Sequence, residues 1–136
     1  MKSILLFGSS TKTGHYIHKH YDIFTKYSKV YRFSRRKKAD FYLDLKTYDF
    51  PKKFFFDKKF AIFSLAPIWL FVPYLESLLD TKKIDKDNIL GLIVTSSTSA
   101  VTKKYSWNKY DQELSEKLIF WERKLSYLKK KYNLKN

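Results

Sequence analysis

The order of apolar and amphipathic segments along these 136 residues predicts an α/β domain built on a parallel sheet. Three observations carry that expectation. Short apolar runs alternate with stretches of helical periodicity, and no hairpin signal joins neighbouring runs. Two of only three glycines, Gly8 and Gly14, stand six apart where the first apolar run stops and a helical pattern begins.

Residues 2–7, Lys-Ser-Ile-Leu-Leu-Phe, suit a strand buried on both faces. Residues 13–27 then place Ile17, Tyr21 and Phe24 at helical spacing. A second strand is expected over 29–34 and a third over 40–45, followed by a basic, aromatic loop around Pro51. Residues 60–65 give a purely apolar fourth strand. After Ala66-Pro67, residues 68–79 form a second helix and 81–88 a polar linker. Residues 89–95 read as a fifth strand that empties into Ser96-Ser97-Thr98-Ser99. The last helix is the clearest, with Leu114, Leu118, Trp121, Leu125, Leu128 and Tyr132 on one stripe. Asp111, Glu113 and Glu116 lie near its positive end and Lys129, Lys130 and Lys131 near its negative end, which complements the dipole. Residues 60–79 carry only one charge, Glu76, and approach the length of a membrane span. Ser64, Pro67 and Pro73 break that stretch into strand, turn and helix, with the prolines expected at element starts.

The length suits one domain that buries about two-thirds of its unfolded surface. The chain has no cysteine, which excludes disulfides and thiolate metal sites and makes a reducing compartment the expectation. Met1-Lys2-Ser3 and four apolar residues lack the form of a signal peptide, so a cytoplasmic protein without a membrane partner is expected. The net charge of +15, from 24 lysines and 4 arginines against 13 acids, attracts polyanions such as nucleic acid. Lysine dominates over arginine, the residue better fitted to planar phosphate recognition. The abundance of Lys, Ile, Phe and Tyr also fits A/T-rich coding as a source of that charge. His15, His18 and His20 cluster on the first helix, but no carboxylate or thiolate joins them in sequence, so no metal site is expected. Gly14 is followed by His15-Tyr16, which excludes a Walker-type loop.

Parallel sheets bind ligands beyond the carboxyl ends of their strands, and a helix that starts there aims its first N–H groups at a phosphate. The residues to weigh are therefore the Gly8 to Gly14 turn, Ser34-Arg35-Arg36, Asp44, Ala66-Pro67 and the serines after the fifth strand.

Through Ile4-Leu5-Leu6-Phe7-Gly8-Ser9-Ser10-Thr11-Lys12-Thr13-Gly14, the ends of strands two and three, Ser64-Leu65-Ala66-Pro67 and Val94-Thr95-Ser96-Ser97-Thr98-Ser99, the chain resembles a known family. This is the N-terminal part of the NAD(P)-dependent epimerase/dehydratase family, among the extended or atypical short-chain dehydrogenases/reductases. The resemblance runs to about residue 125. It implies a Rossmann-like three-layer sandwich, about five parallel strands in the order 3-2-1-4-5 with helices on both faces. It implies that Gly8, Ser9, Ser10, Thr11, Lys12, Thr13 and Gly14 hold a dinucleotide pyrophosphate. Thr11 stands where the family carries a middle glycine, a place where positive φ would be costly for a β-branched residue. Ser34, Arg35 and Arg36 replace the acid of NAD-preferring members and suit a 2′-phosphate, so NADP is implied as cofactor, with NAD second. Asp44 would meet the adenine, and Leu65, Ala66 and Pro67 would pass under the inner ribose and nicotinamide.

For catalysis the resemblance implies that Ser97 or Thr98 orients the substrate oxygen. A tyrosine four residues ahead of a lysine would relay the proton. Tyr127 and Lys131 lie nearest the expected place; Tyr105/Lys109, Tyr42/Lys46 and Tyr48/Lys52 share the spacing. The family continues into a substrate domain, so a truncated dinucleotide-binding domain is implied. Its partner would be a second copy or a separately encoded C-terminal half. The implied activity is hydride transfer between NADP and a small carbonyl or hydroxyl compound. The other reading of the residues is a basic α/β interaction protein that binds nucleic acid or an acidic partner.

Overall fold

A computed structural model describes residues 2–24, 29–55, 58–97 and 99–135. Strands β1 (Lys2–Phe7), β2 (Lys29–Ser34), β3 (Phe41–Tyr42), β4 (Lys59–Ser64) and β5 (Ile89–Val94) form one wholly parallel sheet in the order β3-β2-β1-β4-β5. This is the Rossmann-like α/β arrangement expected from the sequence. Ile4 pairs with Val30 and Ala61, and Leu5 with Tyr31 and Ile62, so both neighbours of β1 keep the same inward and outward alternation.

That alternation divides the core. Ile4, Leu6 and Val30 face α1 (Lys12–Phe24), whose Ile17 packs on them. Leu5, Phe7, Phe33, Phe60 and Ile62 face α3 (Ile68–Asp80) and α5 (Lys109–Lys131), which contribute Phe71, Tyr74, Leu118 and Leu128. Right-handed crossovers explain the split. The β1-α1-β2 and β4-α3-β5 units step across the sheet in opposite directions, so their helices fall on opposite faces.

The third strand is shorter than expected, Phe41–Tyr42 instead of residues 40–45. The Asp40 carboxylate accepts the Arg32 amide N–H at 2.8 Å, occupying the β2 edge that a longer strand would pair with. Asp44 then starts a 3₁₀ turn, Leu45–Thr47, by accepting the Lys46 N–H at 3.0 Å. The expected loop around Pro51 folds into a short helix, α2 (Lys52–Phe55), and supplies part of the core. Phe33 stacks on Phe7 at 4.7 Å and on Phe41 at 5.1 Å, while Phe55 meets Tyr31 edge-on at 5.3 Å. Aromatic bulk thus closes this end of the core.

Pro73 does not stand at an element start. It lies inside α3, where it leaves the Trp69 carbonyl without its usual i+4 amide. Burial of Phe71, Val72, Tyr74 and Leu75 around it offsets that loss. In α1, His20 departs from helical geometry (φ −122°, ψ 17°). A further short helix, α4 (Ser99–Thr102), is joined to α5 by the Ser115 hydroxyl, which donates to the Ala100 carbonyl at 2.8 Å. Beyond α5, Asn133 adopts φ 52° and the Leu134 N–H returns to the Lys129 carbonyl, a Schellman ending. The chain then reaches the outer edge of β5, where Leu92 N–H donates to the Lys135 carbonyl at 2.8 Å. Among the described residues no helix is long and apolar enough to cross a membrane.

Candidate functional site

At the end of β1 the backbone comes into unusually close contact with its neighbours. Gly8 has φ +70°, and a Cβ there would stand 2.7 Å from the Ala66 nitrogen. A Cβ on Gly14 would stand 2.6 Å from the Ser9 carbonyl oxygen. The first glycine lets β1 leave beside the exit of β4, and the second lets the first turn of α1 rest on the preceding loop. Thr11 is not among the residues at positive φ. Instead it caps α1: its hydroxyl accepts the Gly14 N–H at 3.0 Å and donates to the Gly8 carbonyl at 3.2 Å. The concern over a β-branched residue at positive φ is thereby removed, and the third helical amide is satisfied internally. Lys12 and Thr13, the first two helical residues, have no intrahelical acceptor for their amides. Ser9 is buried and donates to the Phe33 carbonyl at 3.4 Å, so it ties β1 to β2, whereas Ser10 is exposed.

Two adjoining clefts open from this turn and share Ser10 and Ser34 as common wall residues. The inner one, about 240 Å³, gathers four strand ends. Gly8 and Thr11 come from β1, Arg35 from β2, Asp44 and Leu45 from β3, and Leu65, Ala66 and Pro67 from β4. Phe7, Phe33 and Leu43 line its apolar part. Most of the residues expected to hold a dinucleotide therefore meet in one place. Two of them already serve the backbone here: Asp44 caps the 3₁₀ turn, and the Ser34 hydroxyl accepts the Arg36 N–H at 3.0 Å.

The outer cleft, about 530 Å³, has a topological cause. A crossover helix between β2 and β3 would step in the same direction as α1 and pack beside it. Residues 35–40 are too few for one and form a tight loop instead. The space beside α1 stays open, walled by His15, by Arg32 of β2, and by Arg36, Lys37 and Lys38 of the loop. Arg35, Arg36, Lys37 and Lys38 enter no ion pair among the described residues. Arg32 differs, since its guanidinium bonds Asp40 at 3.3 Å. Burial pushes the Asp40 carboxyl up, but the Arg32 amide, guanidinium hydrogen bonds and positive charge together hold it below the ordinary carboxylate range. Burial and the charge of Arg32 lower the pKa of His18 below its usual value. The cleft is thus a cationic basin with no acid on its lining among the described residues.

The expected catalytic residues are not gathered in the same way. Ser97 follows β5 and is exposed, and Thr98 lies outside the described residues. Neighbouring Ser96 donates to Glu122 of α5 at 2.5 Å, which marks the level of the strand ends on that helix. Tyr127 lies about 7 Å further along α5, and Lys131 about 13 Å further. Lys131 pairs with Asp80, the last residue of α3, at 3.8 Å, toward the amino ends of the strands. Tyr127 and Lys131 therefore do not share a site with Ser97. Tyr105 is 89 % exposed in the turn before α5.

The sequence reading missed Arg32, Lys37, Lys38 and His15 as site residues. Arg32 was findable: it stands two before Ser34 on one strand, and period-two alternation puts both on the same face. Compared with protein-family models, with curated proteins and with solved structures, the chain matches none, so its fold and the geometry of these clefts carry the functional argument.

Proposed function

We propose that the protein binds a dinucleotide across the carboxyl ends of β1 to β4, with NADP preferred over NAD. The supporting observation is the convergence of those strand ends on an inner cleft, largely apolar with Asp44, Arg35 and Lys46, that adjoins an outer cleft whose described lining is cationic without acids. The residues fit the group. Ser10 and the first amides of α1 would meet the pyrophosphate, and Leu43, Asp44 and Leu45 the adenine. Arg35 and Arg36 would hold the 2′-phosphate with charge-assisted hydrogen bonds. Ala66 and Pro67 would lie under the second ribose. When bound, such a cofactor supplies a hydride donor or acceptor. The proposal is for binding, because Tyr127 and Lys131 lie away from Ser97.

Titration with NADPH at near-physiological ionic strength tests this, since screening suppresses indiscriminate attraction of anions to a +15 chain. Saturable binding is expected, weaker for NADH and about tenfold weaker in Arg35→Ala, the effect of one lost phosphate contact. Absence of saturable NADPH binding would reject the proposal.

A different reading rests on a separate feature. Tyr105, Trp107 and Tyr110 are 89 %, 95 % and 72 % exposed, among Lys103, Lys104 and Lys109. Exposed aromatics interleaved with lysines suit stacking on single-stranded nucleic acid. Local acids weigh against it, because Lys103 pairs with Asp111 and Lys109 with Glu113. A salt-sensitive oligonucleotide shift that is lost in Trp107→Ala, without dinucleotide binding, would favour this reading.

A further inference from the structure

We infer that the site grips the phosphorylated adenosine end of its ligand and leaves the nicotinamide base essentially unheld. The ligand class is then adenosine that carries a ribose phosphate in addition to its 5′-phosphates. This rests on the dinucleotide reading above and narrows it.

Three observations lead here. First, the inner cleft is walled by residues from the ends of β1 to β4 and the outer one by the β1–α1 turn, α1, β2 and the 35–40 loop; no residue of β5 is on either lining. Beyond β5, Ser96 is engaged with Glu122, and the Thr95 hydroxyl donates to the Ser64 carbonyl at 3.1 Å, so these two polar groups, among the described residues toward the far half of a dinucleotide, are already satisfied within the protein. Second, the cations are concentrated on one side. Arg36, Lys37 and Lys38 line the outer cleft and Arg35 the inner one, all without ion-pair partners among the described residues. Third, the outer cleft, at about 530 Å³, falls within the range of about 300–1,000 Å³ for whole small-molecule sites. It is far roomier than one phosphate needs, because the short β2–β3 connection leaves the flank of α1 uncovered. A ribose phosphate entering past Ser10 and Ser34 meets the Lys37 and Lys38 ammonium groups as well as the Arg36 fork, and a 2′- or a 3′-phosphate can be neutralised there. The shared chemistry is therefore a phosphoadenosine. Its source is either the 2′-phosphate of NADP or the 3′-phosphate of a coenzyme-A-type carrier.

Calorimetric titrations of the full chain at near-physiological salt separate these cases. The ligands are NADPH, adenosine 2′,5′-bisphosphate, adenosine 3′,5′-bisphosphate, coenzyme A, 5′-ADP and reduced nicotinamide mononucleotide. The inference predicts that adenosine 2′,5′-bisphosphate binds within a few-fold of NADPH, that the mononucleotide shows no saturable binding, and that 5′-ADP is weaker by about ten- to a hundredfold. The double variant Arg36→Ala/Lys38→Ala, at exposed positions, should bring the bisphosphates down to the affinity of 5′-ADP while its circular dichroism stays unchanged. Saturable NADPH binding with adenosine 2′,5′-bisphosphate more than a hundredfold weaker would overturn the inference and leave the dinucleotide reading standing. Binding of adenosine 3′,5′-bisphosphate and coenzyme A without NADPH would keep the phosphoadenosine site and reject NADP. Binding of none of them would reject both.

Discussion

Gly8 and Gly14 are held by the protein's own backbone, whatever ligand the turn receives. Gly8→Ala should cost about 2–4 kcal/mol, because positive φ and a 2.7 Å approach to Ala66 act together. Chemical denaturation measures this directly, and a loss near zero would mean that β1 and β4 do not meet as described. Thr11→Ala should cost about 1 kcal/mol through the lost cap. At acid pH, two groups near the outer cleft act in sequence. The folded His18 binds its proton less readily than an unfolded histidine, so stability is fully present above the ordinary histidine value of 6.5 and declines as pH falls below it. The folded Asp40 is depressed below 3.8, so its contribution is fully present above 3.8 and is lost progressively as pH falls from there through the lower folded value. His18→Gln should flatten the first decline and leave the second, as followed by urea midpoints across pH.

The elements were legible where periodicity is strong and obscure where tertiary contacts decide. β1, β2, β4, β5 and the last helix follow from apolar runs and a six-residue stripe, because a buried strand or amphipathic helix writes its burial into its sequence. The third strand did not, since Asp40 reaches back to Arg32 at its start and Asp44 caps a 3₁₀ turn just past its end, and neither contact has a period. Residues 45–55 looked like a loop because their aromatic rings have no period; they pack as a cluster around Phe33 and Phe55. In the candidate site, the ends of β1, β2, β3 and β4 were legible from strand-end logic, whereas the outer cleft was not. It arises from a crossover too short to carry a helix, a property of topology and not of any motif. Helix endings offer a further check. α3 closes with Lys82 at φ 56°, and the Lys83 N–H returns to the Leu78 carbonyl at 2.9 Å, a position that glycine fills best. Lys82→Gly should therefore stabilise by about 1 kcal/mol, read from the thermal midpoint.

For the whole molecule, a net charge of +15 opposes compaction and draws anions to its surface. Raising sodium chloride from low to physiological concentration should increase the thermal midpoint by screening like charges. Phosphate at matched ionic strength should raise it further if the cationic basin between α1 and the 35–40 loop holds a phosphate ester. Charge alone predicts attraction everywhere, and the site predicts attraction in one place. The most direct test is therefore amide chemical-shift mapping of the labelled protein with NADPH at physiological salt. The account predicts saturable shifts concentrated at Gly8, Ser10, Ser34, Arg35, Asp44 and Ala66, with α5 little affected. Shifts scattered over the lysines of α5, growing without saturation, would contradict it.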